Sequence, residues 1–254
     1  MRPRTIRLIR GTGWTFIWLG VYLMGFVAYQ LWFTNFLTAR DQSALAAGLD
    51  EHFQGVEVEE IEYVPVTAAG GPATTTTTTI PVDPGSEPIP DPIPKKLLKE
   101  AESAVGEAFA QMRIPAIELD VTVLEGVRRR DLKKGPGHLT GSPLPGQPGN
   151  AIVSGHRTTY GAPFGALDEL VPGDQIEVET ALGVHVYEVR EAPERCRNED
   201  GLCVVKPTDL WVTEPRQGAW LTLTTCHPRF SSRQRLIVVA DLVAGPNAEV
   251  ILGA

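Results

Sequence analysis

The sequence predicts a mainly β domain, either a barrel or a sandwich, that occupies residues 95–254 behind an apolar helix and a linker. Three observations support this fold class. Short runs of β-branched and apolar residues, separated by Gly and Pro, recur through the C-terminal part. A long uncharged stretch lies near the N-terminus, and a segment rich in Pro and Thr separates it from the β-rich part.

Composition excludes two broad classes of protein. Of the 254 residues, 43% are hydrophobic and 21% are charged, so the chain is too apolar to be wholly disordered. The 31 acidic residues outnumber the 23 Lys and Arg residues, which gives a formal net charge of -8. Because nucleic-acid phosphates are bound by clustered Lys and Arg, we expect no nucleic-acid partner.

The N-terminal stretch has the features of a membrane anchor. No charged residue lies between Gly11 and Ala39, and four arginines precede this stretch: Arg2, Arg4, Arg7 and Arg10. About 20 apolar residues in a helix span a bilayer, and flanking basic residues stay cytoplasmic. We therefore assign residues 1–12 to a cytoplasmic tail and 13–36 to a transmembrane helix of a single-pass plasma-membrane protein with an extracytoplasmic domain. The alternative is a cleaved signal peptide with a site at 44–46, although its apolar core would exceed the usual length of about 7 to 15 residues.

Residues 37–94 are predicted to be a juxtamembrane segment followed by a linker. Eight prolines fall between positions 65 and 94, together with six consecutive threonines from Thr74 to Thr79. This composition builds no core, and an extended chain of this length reaches on the order of 90 Å. The linker either carries the domain away from the bilayer or is a passive, glycosylated spacer. We expect residues 41–64 to be solvated.

The domain is predicted to begin with a short amphipathic helix, followed by strands. Apolar residues recur at spacings of three and four in the predicted helix: Leu98, Ala101, Val105, Phe109 and Met112. Strands are predicted at 117–124, 151–154, 175–180, 184–190, 220–225 and 236–243. A hairpin turn at 181–183 joins two of them.

The three cysteines are predicted to have two roles. Cys196 and Cys203 flank a polar, turn-prone stretch whose ends could meet in a disulfide, worth roughly 2 to 3 kcal/mol on the chain-entropy estimate. Cys226 would then be unpaired at the end of an apolar strand. A lone cysteine of this kind is either a small buried hydrophobe or a reactive thiol, and the cysteine alone does not decide between them.

A cysteine nucleophile needs a proton-transfer partner and a donor for the oxyanion. His156 ends the apolar strand 151–155, and Arg235 begins the strand that follows Cys226. Three strand ends can converge at one rim, so His156, Cys226 and Arg235 are the candidate catalytic residues. Arg229 and Arg233 compete with Arg235 for the cationic role.

These residues match a known family. The segment Thr222-Leu223-Thr224-Thr225-Cys226, with Arg235 nine positions later, resembles the sortase signature T-L-x-T-C followed by an arginine. Ser154-Gly155-His156-Arg157 is similar to the sortase catalytic-histidine motif. The flanking stretches look most like those of actinobacterial class E sortases.

The resemblance implies an eight-stranded β-barrel and cysteine transpeptidation. Cys226 would be the nucleophile, His156 the general acid and base, and Arg235 the group that stabilises the oxyanion. The expected partners are secreted proteins with a C-terminal L-A-x-T-G or L-P-x-T-G sorting signal, and the amine of a peptidoglycan precursor or stem peptide. We expect no cofactor and no metal.

Further residues are assigned to substrate binding or to supporting roles. The expected substrate-binding residues are Thr158, Tyr160, Thr224, Thr225 and His138, with His138 placed at the rim or simply exposed. The loop 196–211 is our hypothesis for a recognition wall. His227 is expected to support the site, and His185 to face solvent.

Other functions remain as alternatives. An L,D-transpeptidase would place His-Gly before the cysteine, and a papain-like hydrolase would place Cys before His, so both are disfavoured. A pilin-polymerising sortase would carry a lid with Asp-Pro-aromatic, whereas Asp83-Pro84 and Asp91-Pro92 lack the aromatic residue. A non-catalytic, membrane-anchored β-barrel that binds cell-wall material leaves the placement of Cys226 and His156 unexplained.

Overall fold

The computed structural model describes residues 3–29, 34–64 and 95–253. The Pro- and Thr-rich linker and both Asp-Pro dipeptides lie outside the described residues. Their roles stay predictions.

Eight strands form a closed barrel. The strands of the chain are β1 (Val58–Tyr63), β2 (Lys95–Glu100), β3 (Ala108–Ile114), β4 (Leu119–Glu125), β5 (Gly137–His138), β6 (Gly149–Ser154), β7 (Gln175–Thr180), β8 (Gly183–Val189), β9 (Cys203–Val205), β10 (Ala219–His227) and β11 (Gln234–Ala244). The order around the barrel is β10-β6-β5-β4-β3-β7-β8-β11, and the pairing of β10 with β11 closes it. Strand β9 adds to β11 outside the ring, while β1 and β2 form a separate antiparallel pair. The expected eight-stranded barrel is confirmed.

Alternation of buried and exposed side chains explains the strands. In β7 the buried residues are Ile176, Val178 and Thr180, while their neighbours are at least partly exposed. Strand β6 has no such alternation, because Ala151, Ile152 and Val153 are all buried. A strand that is buried on both faces has a fixed position, and β6 is the strand that leads to His156.

The segment predicted as a helix at 98–112 forms the end of β2, a loop and most of β3, so that prediction is wrong. Ala110, Met112 and Ile114 of β3 are buried at a spacing of two, and β3 pairs with both β4 and β7. Apolar residues at spacings of three and four are compatible with a helix, but pairing on both sides of β3 supplies the backbone hydrogen bonds of a strand. Four helices are described: α1 (Pro3–Ala28), α2 (Thr34–Gly55), α3 (Arg129–Leu132) and α4 (Ala248–Leu252).

Helix α1 contains most of the predicted membrane span. Across residues 3–29, 34–64 and 95–253, no helix is both long enough and apolar enough to cross a membrane. The transmembrane helix and the outward orientation stay predictions.

Part of the segment that we expected to be solvated packs on the domain. Leu49 of α2 is buried, and Gln42 hydrogen-bonds to the backbone of β4. Strand β1 pairs along its whole length with β2. Residues 34–64 are therefore largely structured, although most of the acidic side chains of β1 face solvent as expected.

Candidate active site

Two parallel strands bring His156 and Cys226 to the same end of the barrel. The pairing of β6 with β10 ends at Ser154 opposite Thr224, and His156 and Cys226 each lie two residues further along. The register continues past that pair, because the Gly155 amide donates to the Thr224 carbonyl at 3.1 Å. His156 and Cys226 therefore follow the paired ends of β6 and β10 at the same end of the barrel.

Gly155 permits the turn into His156. A Cβ at this position would lie 2.6 Å from Cδ2 of the buried Phe164 ring, so only glycine fits without a shift of that ring. The Thr225 hydroxyl donates to the Gly155 carbonyl at 2.8 Å, which ties the histidine segment to the nucleophile strand.

Arg235 lies directly opposite Cys226 in the antiparallel pairing of β10 with β11. Its Nη1 donates to the Ser232 and Gln234 carbonyls at 3.0 and 2.9 Å, so its own loop holds the guanidinium. The Cys226 thiol is free and half-buried. The positively charged Arg235 therefore lies on the strand next to the partly accessible Cys226 thiol.

The surroundings of His156 favour its neutral imidazole form. Burial lowers its pKa below the ordinary histidine value, and the charges of Arg129 and Lys133 lower it further. Its Nε2 is buried and has no hydrogen-bond partner within the described ranges. The Tyr160 ring lies against the imidazole, with the two centroids 4.9 Å apart. A neutral ring with an unpartnered nitrogen can accept a proton.

Arg157 is a site residue that the sequence interpretation did not single out. It is 4% exposed, and its Nη1 donates to His227 Nδ1 at 2.7 Å and to the Cys226 carbonyl at 3.4 Å. Its Nη2 pairs with Asp168 Oδ2 at 2.8 Å. The available signal was an arginine directly after His156, where a strand that is otherwise apolar ends.

His227 takes part in this arrangement through Arg157. Burial lowers the pKa of His227, the Arg157 charge lowers it further, and Asp168 and Asp200 oppose the shift. Because the Arg157 guanidinium donates to Nδ1, that nitrogen carries no proton.

The three candidate catalytic residues, His156, Cys226 and Arg235, thus lie at one barrel end. Comparison with known proteins identifies the family. The sortase domain family matches residues 112–243. The chain belongs to the sortase family.

Relatives of this sortase include class E members. It is 29% identical to Sortase SrtE1 of Streptomyces coelicolor over 250 residues, which is 92% of this chain and 57% of that protein. It is 32% identical to Sortase D of Bacillus subtilis over 123 residues, covering 48% of this chain and 56% of the relative. The chain therefore spans less than two thirds of the length of these relatives.

Solved sortases share the fold. The crystal structure of Sortase E1 from Streptomyces coelicolor with a tripeptide in the active site has a TM-score of 0.50 and 30% identity, covering 58% of this chain and 96% of that one. The SrtF sortase from Corynebacterium diphtheriae has a TM-score of 0.50 and 32% identity, covering 57% and 89%.

The other residues expected to bind substrate in this sortase differ in accessibility. Thr158, Tyr160 and Thr224 are half-buried near the catalytic strand ends. Thr225 is 2% exposed, and its hydroxyl donates a hydrogen bond to the Gly155 carbonyl. Thr225 therefore holds the strands together and presents no hydroxyl to a groove.

The expectation that His138 lies at the rim or is exposed is wrong. His138 is 1% exposed, and its Nδ1 lies 2.7 Å from Oε2 of the equally buried Glu125. The Ser142 hydroxyl lies 2.8 Å from Nε2 on the other side of the ring. Strand β5 pairs with β4 and β6, so this polar set is enclosed within the sheet.

His185 is also buried, contrary to the expectation that it faces solvent. It is 0% exposed, and its Nε2 lies 3.2 Å from the Thr180 hydroxyl. Burial lowers its pKa to about 4, so the ring is neutral near pH 7. The alternation in β8 places His185 on the same face as Tyr187 and Val189.

Cys196 and Cys203 form a disulfide. Both cysteines are buried in a small apolar cluster with Val205, Val212 and Ile237. A cavity of about 340 Å³ adjoins this loop and reaches Asp168. Whether the loop 196–211 selects substrate stays a prediction.

No group of three or more His, Cys, Asp or Glu side chains is arranged to bind a metal ion in the part of the chain that the structure describes.

Proposed function

We propose that this sortase is a cysteine transpeptidase that cleaves a C-terminal sorting signal between Thr and Gly and transfers the acyl group to a cell-wall amine. The observation that carries the proposal is the shared barrel end of His156, Cys226 and Arg235, which follows from the register of β6, β10 and β11. Family membership supports the same reaction class.

In the first half-reaction, the Cys226 sulfur attacks the Thr carbonyl carbon of the signal. A carbon–sulfur bond forms, the Thr–Gly carbon–nitrogen bond breaks, and a thioester remains on the enzyme. The neutral His156 takes the thiol proton and passes it to the departing Gly amine. Arg235 supplies positive charge where the tetrahedral oxyanion develops.

In the second half-reaction, the nitrogen of an acceptor amine attacks the thioester carbonyl carbon, and a new carbon–nitrogen amide bond forms. His156 removes a proton from that amine and returns it to the Cys226 sulfur as the carbon–sulfur bond breaks. Water is the competing nucleophile, so a productive site favours the amine over hydrolysis. The proposed acceptor is a peptidoglycan precursor or a stem-peptide amine, and the proposed donors are secreted proteins with L-A-x-T-G-like or L-P-x-T-G-like signals.

The proposed location is the outer face of the plasma membrane. The support is the uncharged stretch from Gly11 to Ala39 and the arginines that precede it. Retention of the chain in a carbonate-washed membrane fraction tests the membrane anchoring, and release into the wash contradicts it. Cleavage of the domain by protease added to intact cells tests the outward orientation, and protection of the domain contradicts it.

The reaction is tested with the full chain and fluorogenic L-A-x-T-G and L-P-x-T-G peptides, with and without an amine acceptor. We expect cleavage by the wild-type chain, ligation when the amine is present, and neither product from Cys226→Ala. Arg235→Ala should also lower cleavage, because it removes the positive charge proposed to stabilise the oxyanion. Arg233→Ala is its matched control, because both arginines belong to the segment after Cys226 and Arg233 is exposed. Equal cleavage by Cys226→Ala and wild type overturns the proposal.

A further inference from the structure

Helix α2 contacts both segments that surround the catalytic histidine. The Gly161 amide donates to the Asn35 side-chain oxygen at 3.0 Å, and the Thr38 hydroxyl donates to the Lys133 carbonyl at 3.1 Å. Thr38 is 5% exposed, so the second contact is sheltered from water. One helix therefore touches the loop after His156 and the turn after α3.

Gln42 fixes the position of the helix on the barrel. Its Nε2 donates to the Thr122 and Lys134 carbonyls at 3.1 and 2.8 Å, and its Oε1 accepts from the Thr122 amide at 2.8 Å. A Cβ at Gly135 would lie 2.1 Å from Gln42 Nε2, so glycine is needed for this approach. Such a set of bonds specifies one docking geometry.

The two segments meet at Tyr160. Its ring lies 4.9 Å from the His156 ring, and the Lys133 ammonium lies 5.6 Å from the centroid of the Tyr160 ring. Tyr160, Gly161 and Ala162 have φ values of 52°, 76° and 46°. Left-handed backbone is unfavourable for Tyr and Ala. Bonds within the loop, from the Ala162 amide to the Thr159 carbonyl and from the Phe164 amide to the His156 carbonyl, hold it together with contacts outside it.

A cavity of about 300 Å³ lies between α2 and the barrel, and Asn35, Thr38, Gln42 and Tyr160 are among its lining residues. Close packing therefore does not hold Tyr160 on that side. A hydrogen bond from the Gly161 amide to the exposed Asn35 side chain ties this loop to the helix.

We propose that helix α2 holds Tyr160 against His156, which makes Tyr160 and Asn35 positioning residues for the transpeptidation. The proposal rests on the proposed function in taking His156 as the proton-transfer group. Tyr160 sets the plane of the imidazole, and Asn35 keeps the left-handed loop in place. This role differs from substrate binding by Tyr160, because a positioning residue changes kcat whereas a binding residue changes KM.

The kinetic test uses the full chain with the peptide and amine assay. We expect Tyr160→Ala to lower kcat by about tenfold with KM nearly unchanged, and Tyr160→Phe to restore wild-type kcat because it keeps the ring. Asn35→Ala should lower kcat by about threefold, and Asn35→Asp should recover it because an acceptor oxygen remains. Ser43→Ala is the control on α2, because that hydroxyl is exposed and bonds within the helix.

A second readout does not depend on activity. The His156 ring proton signals in the full chain, assigned by their loss in His156→Gln, should shift when Tyr160→Ala removes the adjacent aromatic ring or Asn35→Ala removes the contact that holds it. Wild-type positions of these signals in both variants overturn the proposal, as does a rise in KM at constant kcat. If the wild-type chain cleaves no peptide, the proposed function fails, and the signals still test the placement of Tyr160.

Discussion

Arg157 and Asp168 form an ion pair of 2.8 Å, and the same guanidinium reaches the Cys226 carbonyl and His227. A buried arginine thus joins the loop after His156 to strand β10, which carries Cys226. Its bonds go to three residues of one small region, Asp168, Cys226 and His227, so its loss disturbs several partners together.

We predict that Arg157→Met lowers the free energy of unfolding by about 2 to 3 kcal/mol, at the low end for a buried pair because Asp168 is partly exposed. We also expect kcat/KM to fall by tenfold or more, since the Cys226 carbonyl loses its donor. Urea unfolding and peptide kinetics measure the two effects. Arg229→Met is the matched control, because Arg229 lies 3.7 Å from the same Asp168 but is exposed, and it should change stability by less than about 0.5 kcal/mol.

Arg129→Gln is predicted to raise the pKa of His156 toward its ordinary value, because the Arg129 charge disfavours the imidazolium. The reaction begins with a neutral imidazole, so activity is lost as the pH falls through this pKa. The variant should therefore lose activity at a higher pH than the wild-type chain. The pH profile of kcat/KM measures the change, with Lys134→Gln as a control that removes a nearby positive charge. Identical acid limbs for Arg129→Gln and wild type would contradict the prediction.

Glu100 makes stability fall as the pH rises. Burial raises its pKa to about 7, against bonds from Thr180, Leu182 and Ala181 that lower it. The folded state thus holds a proton that the unfolded state releases near pH 4.5, and stability declines between that pH and about 7. Glu100→Gln should remove this decline and stabilise the protein at pH 8 by roughly 3 kcal/mol, with little effect at pH 4. Thermal unfolding at both pH values measures the effect. Glu102 is exposed, so Glu102→Gln should leave the stability unchanged at both pH values.

A chain that begins at residue 95 is predicted to be less stable than one that begins at residue 34. The shorter chain loses the Gln42 hydrogen bonds, the buried Leu49 and the β1 partner of β2. We expect a loss on the order of 3 kcal/mol or more in the free energy of unfolding. Denaturant titration of both chains measures it, and equal midpoints would show that α2 and β1 add nothing to the barrel.

Replacing both Cys196 and Cys203 with Ser is predicted to lower the free energy of unfolding by about 2 kcal/mol, because the unfolded chain gains freedom. If the loop 196–211 selects substrate, the preference between L-A-x-T-G and L-P-x-T-G peptides changes as well. Relative kcat/KM for the two peptides decides this. An unchanged ratio at full activity removes the recognition-wall hypothesis.

The strands that alternate, or that are apolar throughout, could be predicted from sequence. The predicted strand 175–180 coincides with β7, and 151–154 lies within β6. Strand β3 was missed because its apolar spacing also fits a helix, and only its pairing with β4 and β7 decides the matter. Strands β1 and β2 were missed because their partners lie far apart in the chain, and no local pattern reports such a pairing.

The candidate site was partly predictable for a similar reason. His156, Cys226 and Arg235 each mark a strand end, which is a local signal. The burial of His138 depends on Glu125 from another strand, and the docking of α2 depends on a glycine at position 135 that leaves space for Gln42. These are relations between distant segments, and periodicity and spacing do not contain them.

The parallel pairing of β6 and β10 also separates substrate preference from the placement of the reacting groups. Two neighbouring strands that run in the same direction need a long crossover, and here residues 155–218 supply it, including the disulfide loop. Length and composition can vary in the last part of that crossover, between β8 and β10, while the ladder keeps the sulfur and the imidazole in register. The barrel can therefore acquire new substrate preferences by insertion, without rebuilding its chemistry.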